Sequence, residues 1–207
     1  GGTVLDVAGW VAAQVFGGVK LIRVPTTPAA MFGGAFATVA TLNLPSTKDA
    51  LELQSEPMAV LIDPQFAKTV LDGVWRAGVS EAVSLFLEHE DFAAIKEFLP
   101  LAPQYAARDF DALLALLKKT LALQLEKGPS DFGRELAADL EPKSGWRLPH
   151  GYALAIGLLV ELREAVIQGA VEKENLALTI ELLEKSGALD GARHSKHILP
   201  PELADFW

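Results

Sequence analysis

The chain contains no cysteine, which excludes disulfides and thiolate metal sites and makes a cytoplasmic setting the expectation. Basic residues are scarce: 18 Lys and Arg stand against 27 Asp and Glu, a formal net charge of −9. That balance disfavours phosphate backbones and anionic lipid, so neither nucleic acid nor a membrane is an expected partner. Long apolar runs are missing too. The longest, Tyr152 to Val160, ends at Glu161 and is far too short to span a bilayer. The opening Gly1-Gly2-Thr3-Val4-Leu5-Asp6 lacks the basic region of a signal peptide. There is no internal repeat and no low-complexity tract. What is present is 207 residues, 50% of them hydrophobic, enough for one or two packed domains.

Two kinds of segment follow one another. Val7 to Val15 is an apolar helical stretch behind Gly1-Gly2. Glycines ahead of a helix either make a plain turn or let its free N–H groups approach a phosphate. Val19 to Val24 is a β-branched run that predicts a buried strand, closed by Pro25-Thr26-Thr27-Pro28, and Ala59 to Asp63 predicts another. Glycine loop, helix and strand form a βαβ-like piece of a nucleotide-binding domain.

From Val79 the pattern turns helical. Asp91 to Phe98 is amphipathic and is broken by Pro100 to Pro103; Asp109 caps a strong helix that continues to Leu125. After the Gly128-Pro129-Ser130 turn, a short helix covers Phe132 to Leu140 and a loop covers Glu141 to Gly145. Further helices run from His150 to about Gln168 and from Glu172 to Ser186, with a loop and final turn over Gly191 to Trp207. The predicted class is α/β followed by all-α: a partial Rossmann-type nucleotide-binding piece over 1–70 and a helical domain over 71–207.

The most informative string is Arg147-Leu148-Pro149-His150-Gly151-Tyr152-Ala153-Leu154-Ala155-Ile156-Gly157. Pro149 suits a helix entry, because its fixed φ and missing N–H cost nothing in the first turn. A lone histidine there caps or packs by default. The whole string, followed by a long helix, resembles the metal-binding helix of 3-dehydroquinate synthase and its sugar-phosphate cyclase relatives. The resemblance is colinear: G-G-x-x-x-D-x-x-G from Gly1 to Gly9, then Pro25-Thr26-Thr27, Asn43, Lys48, Pro57, Thr69 and Arg76-Ala77-Gly78-Val79-Ser80-Glu81. It implies a dehydroquinate synthase-like fold and NAD held by Gly1, Gly2, Asp6, Thr26, Thr27, Lys48 and Thr69. It also implies a divalent metal, zinc or cobalt, on Glu81 and His150, and a phosphorylated sugar cyclised by a carbon–oxygen lyase. From the residues alone, the two threonines equally serve a strand end, and Glu81 is an ordinary helix glutamate facing solvent.

The departures are as informative as the matches. The family's third ligand lies in a segment D/N-F-G-H-T-x-x-H, where this chain has Asp131-Phe132-Gly133-Arg134-Glu135-Leu136-Ala137-Ala138. A permanently protonated guanidinium cannot bind a metal, but beside Glu81 it can replace the metal's charge. An aspartate and a G-G-K loop are replaced around Gly33, Ala37, Thr38 and Val39. Lysines give way to Ser84 and Gln124, and a glutamate to Tyr152. The segment with the family's phosphate-binding arginine is missing between Glu126 and Asp131, and so is the basic segment that completes the substrate site. The chain opens inside the glycine loop. The exposed sheet edge this leaves must pair with the rest of a longer polypeptide or with a partner chain.

The expectation is a non-catalytic subunit or pseudoenzyme, in a homo- or hetero-oligomer with another dehydroquinate synthase-like chain. One alternative is an active, divergent cyclase using NAD and metal, in which His194 or His197, three residues apart, rebuilds the ligand set. The other is a small-molecule binding module in which Arg134 grips an anion.

Overall fold

The structure, a computed structural model, describes residues 1–194, the side chains of Ala192 and His194 excepted. Helix α1 (Gly2–Gln14) begins on Gly1 with no side-chain cap, and the chain then turns through Phe16, Gly17 and Gly18. All three have positive φ, of 53°, 79° and 110°, a conformation easy for the glycines and costly for Phe16. Strand β1 (Ile22–Arg23) pairs in parallel with β4 (Ala59–Val60), Ile22 opposite Ala59 and Arg23 opposite Val60. Between them lie the short helix α2 (Pro28–Phe32), capped by the Thr27 hydroxyl accepting from the Ala30 amide, and an antiparallel hairpin. That hairpin, β2 (Val39–Leu44) and β3 (Thr47–Gln54), carries a register irregularity between Leu42 and Leu44.

The helices follow: α3 (Asp72–Ala77), α4 (Val79–Glu88), α5 (Phe92–Phe98), α6 (Ala102–Ala106), α7 (Phe110–Lys127), α8 (Arg134–Lys143), α9 (His150–Ile167), α10 (Lys173–Lys185) and α11 (Asp190–His194). Asp91 and Asp109 cap α5 and α7 through the amides of Ala94 and Ala112, as their residue type predicts. Helix α4 is buried along nearly its whole length and lies against α9, α7 and α2. Trp75 and Tyr105 are fully buried and exchange hydrogen bonds, indole to the Tyr105 carbonyl and phenol to the Trp75 carbonyl, each at 2.7 Å. Their polar atoms are thereby satisfied and their rings pack at 5.6 Å between centroids.

Two features place the functional cleft. Gly157 of α9 passes so close to Gly133 that an added Cβ would stand 2.1 Å from the Gly133 carbonyl oxygen. Gly133 itself has φ of 77° and caps α8. Only glycine at both positions lets α8 and α9 meet this closely. The hairpin lies on α8, and its turn is tied to the helices by the Trp146 indole donating to the Pro45 carbonyl at 2.9 Å.

The α/β-then-helical class holds, and several sequence expectations are corrected in detail. The run Val19 to Val24 is a strand at only two residues. Ile22 and Val24 are exposed and the buried member is Arg23, 3% exposed. Its guanidinium donates to the carbonyls of Ala35, Ala37 and Ser55, while burial, opposed by Asp6, lowers its pKa. The hairpin was not predicted, because polar Thr47 to Gln54 is mostly exposed and lacks a buried strand's apolar run. The prolines of 100–103 do not end helical structure; they sit in first-turn positions of a 3-10 turn and of α6. Glu141 to Lys143 extends α8 instead of forming a loop, with Pro142 in its last turn. His197 lies outside the described residues and the His194 side chain with it, so the pairing expected of them there is not described.

Candidate functional site

Helix α4 opens on Gly78, which packs so tightly that a Cβ there would sit 2.7 Å from the Pro28 side chain. This anchors the first turn of α4, from which Glu81 points inward and is 6% exposed. The site was expected to hold an ordinary surface glutamate on residue type alone; the packing makes it a buried one. Gly33 leaves the room, since any side chain at 33 would meet Glu81 Oε2 at 2.7 Å. The loss of a family side chain at that stretch is therefore a gain of space for the carboxylate.

Two helices then converge on Glu81. Arg134, the first residue of α8, donates from an Nη2 to Glu81 Oε2 at 2.7 Å, and its Nε donates to the Ser130 carbonyl at 2.6 Å. His150, the first residue of α9, places Nε2 at 2.9 Å from Glu81 Oε1. Its Nδ1 is 2.7 Å from Glu141 Oε1, and Lys48 of β3 lies 2.5 Å from the same oxygen. The result is a ladder of alternating charge: Arg134, Glu81, His150, Glu141, Lys48. Lys48 Nζ also comes within 2.8 Å of His150 Nδ1. With both ring nitrogens on carboxylates the ring is an imidazolium. That contact is therefore two donors sharing Glu141 Oε1, not a bond between them.

The titration behaviour follows from this. For Glu81, burial pushes the pKa up, but Arg134 and the His150 hydrogen bond outweigh it and hold it at about 2. Glu141 is lowered in the same manner, burial being overcome by His150 and Lys48. Burial of His150 works against its charge, yet hydrogen bonds to Glu141 and Glu81 raise its pKa. Arg134 is raised, with Glu81 the leading cause.

A divalent metal does not fit these residues. It needs several lone pairs aimed at one point, whereas the lone pairs of Glu81 are taken by a guanidinium and an imidazole N–H. Arg134 stands at the expected third-ligand position and offers none. Among the described residues no group of three or more His, Cys, Asp or Glu side chains is arranged to hold a metal ion. Ser84, where a lysine was expected, is buried and bonds the Ser130 hydroxyl and the Phe132 carbonyl, both at 2.7 Å, pinning the loop beneath Arg134.

The expected dinucleotide residues divide into groups. The Gly1 nitrogen lies 3.4 Å from Thr26 Oγ1, and a Cβ on Gly1 would touch Thr27. Gly2 has open space around it at the start of α1. Asp6, one turn on, has its pKa raised by burial and by Asp49, against Arg23, Lys48 and His150. Lys48, expected with them, has its ammonium on Glu141 instead. Thr69 ends an exposed 3-10 turn and has no hydrogen bond to the others among the described residues. The residue that sequence reasoning missed is Glu141. The signal was available: Glu141 follows Arg134 by seven residues, two helical turns, so both fall on one face of α8.

Beside the ladder opens a cavity of about 640 Å³, lined by Lys48, Arg134, His150 and Phe132 and by five carboxylates. Among the described residues no helix is long and apolar enough to cross a membrane.

Comparison with known proteins places this geometry. Residues 1–77 match the family model described as 3-dehydroquinate synthase N-terminal. The 3-dehydroquinate synthase of Shouchella clausii is 32% identical over 177 residues, covering 79% of this chain and 48% of that one. The same enzyme of Tropheryma whipplei is 26% identical over 222 residues, covering 98% and 56%. The chain spans about half the length of the curated relatives it matches. Among solved structures, ValA, a 2-epi-5-epi-valiolone synthase from Streptomyces hygroscopicus with NAD+ and Zn2+ bound, superposes with a TM-score of 0.79 at 20% identity. It is matched over 100% of this chain and 59% of its own. A 2-deoxy-scyllo-inosose synthase complexed with carbaglucose-6-phosphate, NAD+ and Co2+ gives 0.74 at 20% identity, over 92% and 55%. With the family model, the curated relatives and the fold in agreement, the chain belongs to the 3-dehydroquinate synthase-like family.

Proposed function

We propose that this chain is a non-catalytic member of the family, a subunit that works by pairing with another dehydroquinate synthase-like chain. In this reading residues 1–70 form its nucleotide-binding part and 71–207 its helical part. The single observation that carries it is the 2.7 Å bond from Arg134 to Glu81: a fixed cation stands on the carboxylate that the resemblance assigns to a metal. An Arg side chain cannot act as the Lewis acid that polarises a substrate oxygen, since it offers neither an open coordination position nor exchangeable ligands.

The subunit half of the proposal draws on surface chemistry. Among the described residues, fifteen of nineteen exposed large hydrophobics fall within the first 74 positions. Val4, Val7 and Val11 follow one another at helical spacing along the exposed face of α1, and Val15 and Phe16, just beyond its end, are exposed too, Phe16 at 98%. Among the described residues the parallel pair β1–β4 has no further strand on either edge. Parallel strands are ordinarily covered on both faces, so this side favours an α/β partner.

For the dinucleotide the residues fit better than for the metal. The open start of α1 at Gly1 and Gly2, with Thr26 and Thr27 beside it, would hold phosphates. NAD, when bound, supplies hydride transfer. The residues of this chain supply only the phosphate grip and the neighbouring Asp6. Zn2+ or Co2+, which the solved relatives hold beside NAD+, has no comparable place in this reading.

The test combines native mass spectrometry of the untagged protein from its own source with a phosphate-release assay on a sugar-phosphate cyclase substrate. The expected result is a second chain in the complex, no stoichiometric metal and no phosphate release assignable to this chain. Bound metal together with phosphate release that Glu81→Ala abolishes would overturn it in favour of an active, divergent cyclase.

A further inference from the structure

The parallel pair β1–β4 is covered on one face and bare on the other. The Arg23 side chain points to the covered face, where its guanidinium binds the carbonyls of Ala35, Ala37 and Ser55. Helix α1 packs there too: a Cβ added to Gly9 would stand 3.4 Å from an Arg23 Nη2, and the Ser55 hydroxyl donates to the Gly9 carbonyl at 3.0 Å. Side chains alternate along a strand, so Ile22 and Val24 turn to the opposite face. The register sets Arg23 against Val60, which brings Leu61 beside Val24 on that same face. Ile22, Val24 and Leu61 are 49%, 41% and 58% exposed. Parallel strands are ordinarily buried on both faces, and this face lacks its layer among the described residues.

The edge of β1 is open as well. The amides of Met58 and Leu61 donate to the carbonyls of Leu21 and Arg23 at 2.8 and 2.9 Å. Peptide groups alternate in direction along a strand, so Ile22 and Val24 aim their N–H and C=O groups away from β4, at the free edge of β1. Beyond β4 the chain is less open: Val60 and Ile62 are half-buried, and Ile62 packs against the main core. A row of free peptide groups beside a bare apolar face is a template for another strand. Charge is sparse on this side. Asp6, Lys20 and Arg23 are the only charged side chains in the first 46 residues, and Arg23 points inward. Such depletion marks the centre of a protein interface and offers nothing to a polyanion.

We infer that a partner chain adds a strand along the Ile22–Val24 edge, parallel to β1 as β4 is, and lays a helix over Ile22, Val24 and Leu61. The inference rests on the pairing proposed above and specifies its geometry. This chain spans about half the length of its curated relatives, so a dehydroquinate synthase-like partner brings about as much chain again to set against this side. A second copy of this chain does not meet the requirement. Two β1 edges related by a two-fold axis run antiparallel, and a head-to-tail parallel contact between copies leaves an open edge at the end of every stack.

The experiment compares the protein purified with its partner from its own source with the chain expressed alone. Hydrogen exchange read at single amides is expected to slow at Ile22 and Val24 in the complex by about a hundredfold or more. Val24→Pro removes the outward N–H and keeps apolar bulk, and Leu61→Glu charges the bare face. Each is expected to weaken the complex by about tenfold or more, read by native mass spectrometry on dilution, while the isosteric Val24→Thr retains it. Should Val24→Pro melt well below wild type when expressed alone, Leu61→Glu and the exchange data decide. Peptide sequencing is expected to find a dehydroquinate synthase-like partner. Protection confined to α1, or full retention of the partner by Val24→Pro and Leu61→Glu, overturns the strand addition and leaves the pairing standing. A complex made only of copies of this chain overturns the inferred occupant. Absence of any second chain overturns inference and pairing together, whereas metal content and phosphate release bear on the proposed function alone.

Discussion

Replacing Arg134 with methionine keeps most of the side chain's volume and removes its charge from a buried carboxylate. Glu81 falls from an ordinary 4.5 to about 2 in the folded chain. At about 1.4 kcal/mol per unit, that shift corresponds to about 3 kcal/mol of folding stability near neutral pH. The Glu81 side chain is 5% exposed and its full shift counts, but Arg134 is 35% exposed and partly screened. Its share with the accompanying hydrogen bond is therefore about 2 kcal/mol. The sign is fixed by the direction of the shift. A depressed carboxylate stabilises the fold above its unfolded value of 4.5 and loses that contribution as pH falls towards 2. Urea denaturation of both proteins at pH 7 and pH 3 reads this out. Arg134→Met is expected to cost about 2 kcal/mol at pH 7 and clearly less at pH 3, where wild type has already lost more than half of the Glu81 contribution. A loss below about 0.5 kcal/mol at pH 7, or an equal loss at both pH values, would refute the ladder as a source of stability.

Arg134→His should recreate a ligand where the guanidinium stands. Co2+ titration is expected to give visible absorption bands in that variant and none in wild type; bands in both would mean that Glu81 and His150 bind metal beside Arg134. His150 has a raised pKa, so its stabilising charge is fully present below about 6.5 and is lost as pH rises through the folded value. Melting temperature should accordingly decline above neutrality in wild type and more shallowly in His150→Gln, and parallel curves would contradict the ladder. Gly157→Ala forces a methyl against the Gly133 carbonyl and should cost about 1–3 kcal/mol in chemical denaturation; a neutral effect would show that α8 and α9 can separate freely.

Much of this was legible in residue order. The capping aspartate at 109 and the entry of α9 at Pro149 rest on local chemistry, and both lie where their patterns put them. Glu81, Arg134 and His150 could be brought together because the colinear motifs assign them to one centre. Glu141 escaped because Pro142 beside it signals a loop, although proline in a helix's last turn is tolerated when the preceding carbonyls are free to adjust. The buried Arg23 escaped because a β-branched run says nothing about which face has partners, and three carbonyls from distant segments make its burial affordable. Lys48 was legible as a matched residue but not in its role, since its partner Glu141 is 93 residues away in sequence.

In the proposed pairing, the apolar stripe of α1 would have a consequence for abundance. A partner that covers Val4, Val7 and Val11 and binds only the folded chain adds RT ln(1 + [L]/Kd) to its stability. At a hundredfold excess over Kd that amounts to about 2.7 kcal/mol, of the same order as everything the buried Glu81 contributes. The folded population of this chain would thus track the supply of its partner by mass action. Cells short of that partner would hold less of the chain through turnover alone, with no change in its synthesis.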